Sequence, residues 1–353
     1  MRPAPSLTLL LIGTLAGCVG EEPPGRVSAA GSVDIEGVGS ASVVLDLGSY
    51  EEPSLDAVVL VPERLQVDVF VPAGSSRFEL FGAFFTGELV PEQITRGLVD
   101  GRGALALRLE GKRVMLMSGV PYRPHRLNFP VQIYDWEGDN EIHHVSFGDL
   151  SGDASDDLLV AEDTGIVVIT ELGPALDANP EDPPWLDRFT LDDGYRARGA
   201  VAIPPLGEER PGAVAIAREE PSLRIYTRVQ DGYETTDVEL PALGRDVLPA
   251  RCAEWGAIIV LEDGRLMAVP RGVLAVEPLQ VVPVRAMASA GDAWAAVDGG
   301  GYVALSSGCT EVSTPVRWIP TATQIDVSSV PAGDTLLSAL SDGGTRLDLF
   351  RAR

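Results

Sequence analysis

Seven times along the chain a short apolar run meets a tight turn and is answered by a second apolar run. The copies read AVVLVPERLQVDVFV at 57–71, ALALRLEGKRVMLM at 104–117, LLVAEDTGIVVIT at 158–170, AVAIAREEPSLRIYT at 213–227, AIIVLEDGRLMAV at 257–269, AWAAVDGGGYVAL at 293–305 and LLSALSDGGTRLDLF at 336–350. Their starts lie 47, 54, 55, 44, 36 and 43 residues apart. Apolar, often β-branched residues suit the two strands, and the Gly, Asp, Glu or Pro between them suit a hairpin turn. Asp263-Gly264 and Gly343-Gly344 are the strongest of these turn signals. Hairpins recurring at this period predict the blades of a β-propeller.

A further strand-like piece follows most hairpins, at 77–84, 126–134, 188–191, 233–240, 273–279 and 311–319. These are the expected outer fourth strands. No such piece follows the seventh hairpin, but an extra one, SVDIEG at 32–37, precedes the first. Pairing 32–37 with 346–350 completes the last blade and removes two exposed edges. The expectation is therefore an all-β, seven-bladed propeller at 31–353, its last blade closed by the N-terminal strand. Two β-sandwiches in tandem explain short strands equally well, but not a repeated hairpin with a missing final strand. Helical signals are few; PEQITRGLV at 91–99 reads as one turn.

Residues 1–17 read as a signal peptide: Arg2, an apolar stretch from Leu7 to Ile12, then Leu15-Ala16-Gly17 before Cys18. This junction resembles a bacterial lipoprotein lipobox, and the resemblance implies cleavage before Cys18 and acylation of that residue. The other reading is an ordinary secretory signal with a chance cysteine. Several acyl chains on one residue anchor stably, whereas one chain is marginal. Among Gram-negative lipoproteins an aspartate after the cysteine resembles an inner-membrane retention signal. Val19 stands there instead, which points to the outer membrane and leaves its face open. Residues 18–30 read as a lipidated tether.

The chain carries 27 basic and 52 acidic residues; without Arg2 the mature net charge is −26. Nucleic acid and electrostatic attachment to anionic lipid both call for a basic face. Neither is expected as a partner. Cys252 and Cys309 are the two cysteines left after Cys18. In an exported protein an even pair suggests one disulfide, with two buried thiols as the other reading.

One segment carries chemistry: Phe147-Gly148-Asp149-Leu150-Ser151-Gly152-Asp153-Ala154-Ser155-Asp156-Asp157-Leu158. Oxygens at alternate positions of a tight turn converge, and Ca²⁺ takes several oxygen ligands. Asp149, Ser151, Asp153 and Asp157 offer side chains and Ser155 a carbonyl, with Asp156 adding charge nearby. The plain reading is a solvated acidic turn. The segment resembles the FG-GAP/VCBS repeat of integrin-type propellers, whose loops carry D-x-[DN]-G-D-G-x-x-D-L. Asp149, Asp153, Asp157 and Leu158 match in register, Ser151 replaces Asn or Asp, and Ala154 replaces a glycine. The resemblance implies one structural Ca²⁺ site at Asp149, Ser151, Asp153, Ser155 and Asp157. In the seventh unit Asp326, Ser328 and Asp334 repeat the spacing, but Val330 replaces the middle carboxylate, so no metal is expected there.

No metalloprotease, P-loop, nucleophile-elbow or C-x-x-C pattern occurs. His143 and His144 are adjacent and read as structural or surface residues, because neighbours on a strand face opposite ways. The expected function is an envelope-anchored, non-enzymatic module that binds or adheres to protein or glycan. The alternatives are a scaffold subunit of an outer-membrane assembly and a propeller enzyme acting on polysaccharide, since fold alone does not choose among them.

Overall fold

The computed structural model describes residues 27–47, 55–73, 77–118, 131–135, 140–177, 186–205, 212–250, 252–279, 283–290, 293–307, 314–329 and 335–352. They fold into seven four-stranded antiparallel sheets. Sheets 1 to 6 are meanders in chain order. Their first strands are Ala41–Leu45, Pro91–Val99, Ile142–Gly148, Ala197–Ile203, Gly244–Pro249 and Val284–Ala290. Sheet 7 begins with Gln324–Ser329 and takes its fourth strand, Val27–Asp34, from the other end of the chain.

Every apolar hairpin supplies the second and third strands of one sheet, from Asp56–Val61 with Gln66–Pro72 to Thr335–Ser341 with Arg346–Ala352. The second strands, and the third strands of sheets 1, 2, 3 and 5, are buried on both faces, which explains their nearly unbroken apolar runs. The fourth strands are Phe78–Phe85, Val131–Asp135, Arg188–Asp193, Gly232–Glu239, Glu277–Pro278 and Thr314–Trp318. The fifth keeps only two residues, and Val273 and Leu274, expected within it, stand exposed before it.

Two expectations are corrected. The segment 91–99 is not a helical turn but a nine-residue strand, Pro91–Val99. Pro91 sits at its first position, where a missing N–H is tolerated. Asp100 and Gly101, at φ 50 and 73, form the two-residue turn to Arg102–Leu109. Asp-Gly is a favoured pair for such a turn. The N-terminal strand also begins earlier than expected, at Val27. It pairs from Val27 opposite Ala352 to Asp34 opposite Arg346. Ala30, inside the stretch read as tether, is buried between sheets 7 and 1.

The buried apolar residues fall into seven clusters, each shared by two sheets that follow one another in the chain, with one joining sheet 7 to sheet 1. First strands pack against first strands in the same order, and Ala41–Leu45 packs against Gln324–Ser329. Such approach requires small residues: a Cβ on Gly148 would lie 2.4 Å from that of Ala202 on the next sheet.

Side chains tie these strands together. Gln93 exchanges two hydrogen bonds with the Val145 backbone, its Nε2 donating at 3.1 Å and its Oε1 accepting at 3.0 Å. Ser146 donates to the Ala200 carbonyl at 2.6 Å, and Ser289 to that of Pro249 at 2.6 Å. Arg96 of sheet 2 reaches furthest. It donates to the carbonyls of Val44, Val327 and Ser289, on sheets 1, 7 and 6, and pairs with Asp326 at 3.3 Å. Asp326 in turn accepts the Val44 N–H at 2.7 Å. Burial raises the Asp326 pKa, while the Arg96 charge and this N–H oppose the rise.

Candidate functional site

The acidic loop connects Ile142–Gly148 to Asp157–Glu162 in sheet 3. Asp157 is its buried anchor, with one carboxylate oxygen accepting the N–H groups of Leu150 at 2.8 Å and Ser151 at 2.7 Å. Asp149 accepts from Ala154 at 3.1 Å and also from Gly152, and Asp153 accepts from Ser155 at 2.9 Å. Ala154 takes φ 70, the left-handed conformation that glycine adopts without strain. The sharp turn is therefore made despite the missing glycine.

The loop is docked on both sides. Toward sheet 2, the Asp156 carboxylate accepts the Leu98 N–H at 2.6 Å, the Asp156 N–H donates to the Leu98 carbonyl at 2.9 Å, and Ser155 Oγ accepts the Asp100 N–H at 3.1 Å. Toward sheet 4, Arg228 donates to the carbonyls of Leu150 and Ser151, and the Tyr233 hydroxyl donates to that of Leu150 at 3.2 Å. Asp156 is thus more than nearby charge; it fastens the loop to sheet 2.

Burial pushes the Asp157 carboxyl up to about 6; its two N–H donors pull it down, and the charges of Asp153 and Asp149 push it further up. Ser151 Oγ is buried and, among the described residues, finds no hydrogen-bond partner. The donor set is all oxygen, the type a hard cation takes. Its spacing is open, however. Among the described residues the group of three metal-capable side chains with ligand atoms within 4.8 Å of one another is Glu141, His143 and Asp163. A cation in the loop would have to draw Asp149, Asp153 and Asp157 closer together.

The Glu141, His143 and Asp163 group lies at the other end of sheet 3. His143 Nε2 is 2.7 Å from Asp163 Oδ1, and Arg218 of sheet 4 donates to the same oxygen at 2.8 Å. The Arg218 and His143 hydrogen bonds hold the Asp163 carboxyl down at about 2. His143 projects because the strand bulges between Ile142 and His144. His144 is turned inward, where burial and then the Arg108 charge lower its pKa to about 4. Its neutral Nδ1 accepts the Ala200 N–H at 3.4 Å. The two histidines diverge, as alternation on a strand requires.

Register shifts at this place recur in five consecutive sheets. They put Glu92, His143, Arg198, Arg245 and Arg285 at the extra position of each first strand. Arg198 reaches the Gly244 carbonyl at 3.3 Å and Glu262 at 2.8 Å, and Arg285 reaches the carbonyls of Pro320 and Ala322 at 3.1 and 3.0 Å. Sequence reasoning missed this rim, because a one-residue bulge leaves no mark on an apolar period; the recurrence of a long polar residue two places into each first strand was the available signal.

Cys252 is buried in the core between sheets 5 and 6, with its carbonyl accepting from Arg271 at 2.6 Å. Cys18, Cys309, Val330 and Asp334 lie outside the described residues. Among those described, no helix is long and apolar enough to cross a membrane.

No protein-family model matches the chain, and no curated protein matches it in sequence. Solved structures do resemble it. BBS1N in complex with ARL6DN, soaked with lead, superposes with TM-score 0.66 at 13% identity, covering 94% of this chain and 98% of that one. The mercury-soaked form gives TM-score 0.63 at 13% identity with the same coverage. Raptor from Chaetomium thermophilum gives 0.61 at 11% identity, covering 94% of this chain and 29% of its own. At such identities the likeness speaks to fold alone, and the fold is propeller-like.

Proposed function

We propose that the chain is an envelope-anchored lipoprotein, built as a seven-bladed propeller closed by its N-terminal strand, that binds protein or glycan without catalysis. The ring is supported by the pairing of Val27–Asp34 with Arg346–Ala352 and by the core shared between sheets 7 and 1. Acylated Cys18, reached through a tether that ends at Val27, anchors it. Cys252 and Cys309 form its disulfide, and the loop at Asp149, Ser151, Asp153, Ser155 and Asp157 holds a structural Ca²⁺. Support for the calcium comes from the mutual charge of its carboxylates and the unpartnered Ser151 Oγ.

The observation that carries the binding reading is the repeated bulge. Bulges re-aim side chains, and here five in succession present Glu92, His143, Arg198, Arg245 and Arg285 at the same end of their sheets. The 2–3 turns at that end surround the polar rim, giving a shape suited to recognition. A photo-crosslinking residue at Glu219 or Arg265, both in such turns, should capture a protein or polysaccharide in intact envelopes. The same residue at Val273, at the opposite end, should not. Equal capture at both ends, or at neither, defeats the assignment of this face.

A further inference from the structure

The described surface carries large exposed apolar side chains mostly one by one, which is ordinary. One strand is different. Phe78–Phe85, the outermost strand of sheet 1, exposes Leu80 at 54%, Phe81 at 41% and Phe85 at 69%. Among the described residues its outer edge has no strand partner. Leu80 lies opposite Phe70 and Phe85 opposite Gln66, so both share the face of sheet 1 that Phe70 turns toward sheet 7. Phe81 is the extra residue of a bulge between these pairs. The nearest neighbour on that side is the N-terminal strand, Val27–Asp34, which packs beside Phe78–Phe85.

Position limits what can cover this patch. Val27 and Phe78 both lie at the end of their sheets that carries the 1–2 connections. Eight residues separate Cys18 from Val27. Nine Cα steps reach roughly 30 Å at full stretch, and the strand from Phe78 to Phe85 is itself roughly 23 Å long. A bilayer holding acylated Cys18 is therefore never far from any part of the patch. The intervening segment, VGEEPPGR, offers Val19 and two prolines beside two glutamates and no large apolar side chain, so it does not supply an apolar cover. Charge does not supply the contact either, because Arg77, Glu79 and Glu88 around the patch mix signs and the mature chain is strongly acidic.

We propose that Leu80, Phe81 and Phe85 form a lipid-contact patch that lays the rim of sheet 1 on the membrane to which Cys18 is anchored. The proposal rests on the lipoprotein reading. Aromatic and leucine side chains enter the boundary between headgroups and acyl chains readily. Contact at this rim turns the ring on its side, leaving the bulged rim of His143, Arg198, Arg245 and Arg285 open to solution rather than pressed against lipid.

The test uses the full lipidated chain in phosphatidylcholine vesicles. An environment-sensitive fluorophore is placed on Phe85→Cys and, as the control, on Leu274→Cys of sheet 5, which is 54% exposed. Mass spectrometry of the N-terminal peptide is run on the same sample. The label at 85 should brighten several-fold, shift to the blue and be quenched by brominated lipid, with no change on adding salt or anionic lipid. The label at 274 should behave as in water. A water-like label at 85 on protein with acylated Cys18 overturns the patch and leaves the anchor standing. Absence of acyl mass overturns both. A shift that survives in Cys18→Ser protein without vesicles and grows with protein concentration means a second copy covers the strand, and that also overturns the proposal.

Discussion

Replacing Asp157 by asparagine separates a calcium loop from an acidic turn. The Asp157 carboxyl is 2% exposed and pushed up to about 6, mainly by burial. In the unfolded chain it ionises near the ordinary 3.8. Between those values the native state holds a proton that the unfolded state has lost, so stability falls as pH rises through this window. Two pKa units correspond to about 3 kcal/mol as an upper bound, and to about 1–2 kcal/mol once solvent screening at the loop is allowed for. The asparagine side chain keeps an acceptor for the Leu150 and Ser151 N–H groups but carries no charge. In chelator, D157N should match wild type below pH 4 and exceed it by about 1–2 kcal/mol at pH 7. Urea denaturation at several pH values measures the difference. Calcium favours the carboxylate, so it should restore the wild type at pH 7 by RT ln(1 + [L]/Kd) and leave D157N unmoved. Identical pH profiles for the two proteins in chelator would refute the claim that burial holds the Asp157 proton. An unchanged wild type in millimolar calcium would reduce the loop to a turn that joins sheets 2, 3 and 4.

Arg96→Met should destabilise by about 3–5 kcal/mol, since it leaves Asp326 buried without its partner. Adding Asp326→Asn should recover part of that loss, and a double-mutant cycle in urea tests the coupling. Ala154→Gly should stabilise by about 1 kcal/mol by relieving the left-handed strain, a rise of roughly 2 °C in Tm for a domain of this size. Removing residues 27–34 should lower the melting temperature of all seven sheets together; a truncated chain that melts like the intact one contradicts the proposed closure by that strand. Thiol titration of the unfolded, exported protein should find Cys252 and Cys309 blocked until a reductant is added.

What was legible follows from which interactions leave a period in the sequence. Second strands are buried on both faces, so they appear as unbroken apolar runs, and with the turn that follows each of them all seven hairpins could be read. Fourth strands such as Phe78–Phe85, Arg188–Asp193 and Gly232–Glu239 leave many side chains open to solvent, and their edges blurred accordingly: the run at 273–279 shrank to Glu277–Pro278. First strands were barely visible. They mix small residues needed for close approach, such as Gly148 and Gly199, with polar side chains that tie sheet to sheet. Pro91–Val99 carries Gln93, Arg96 and Gly97 for those reasons, and this made it look like a polar helical turn. The Asp100-Gly101 pair would have identified the hairpin.

The acidic loop was legible as a motif but not as a structural element. Its spacing drew attention to Asp149, Asp153 and Asp157, yet the residues that hold it in place lie far off in sequence: Leu98 and Asp100 on one side, Arg228 and Tyr233 on the other. The same holds for Arg96, whose partners are 52 to 231 residues away. In a chain with nearly twice as many acidic as basic residues, each arginine has many carboxylates within reach of a guess, and sequence alone does not choose among them. Here Arg96, Arg228 and Arg285 all take backbone carbonyls where neighbouring sheets meet. A guanidinium has five N–H donors in a fixed planar fork, so one side chain can bridge carbonyls on different sheets, which an ammonium does with less geometric control. That requirement gives a structural reason for a chain whose sole lysine is Lys112. Arg96→Lys measures it: the charge beside Asp326 is kept while the fork is lost. A variant as stable as wild type would assign the role of Arg96 to charge alone. A loss approaching that of Arg96→Met would assign it to the bridged carbonyls.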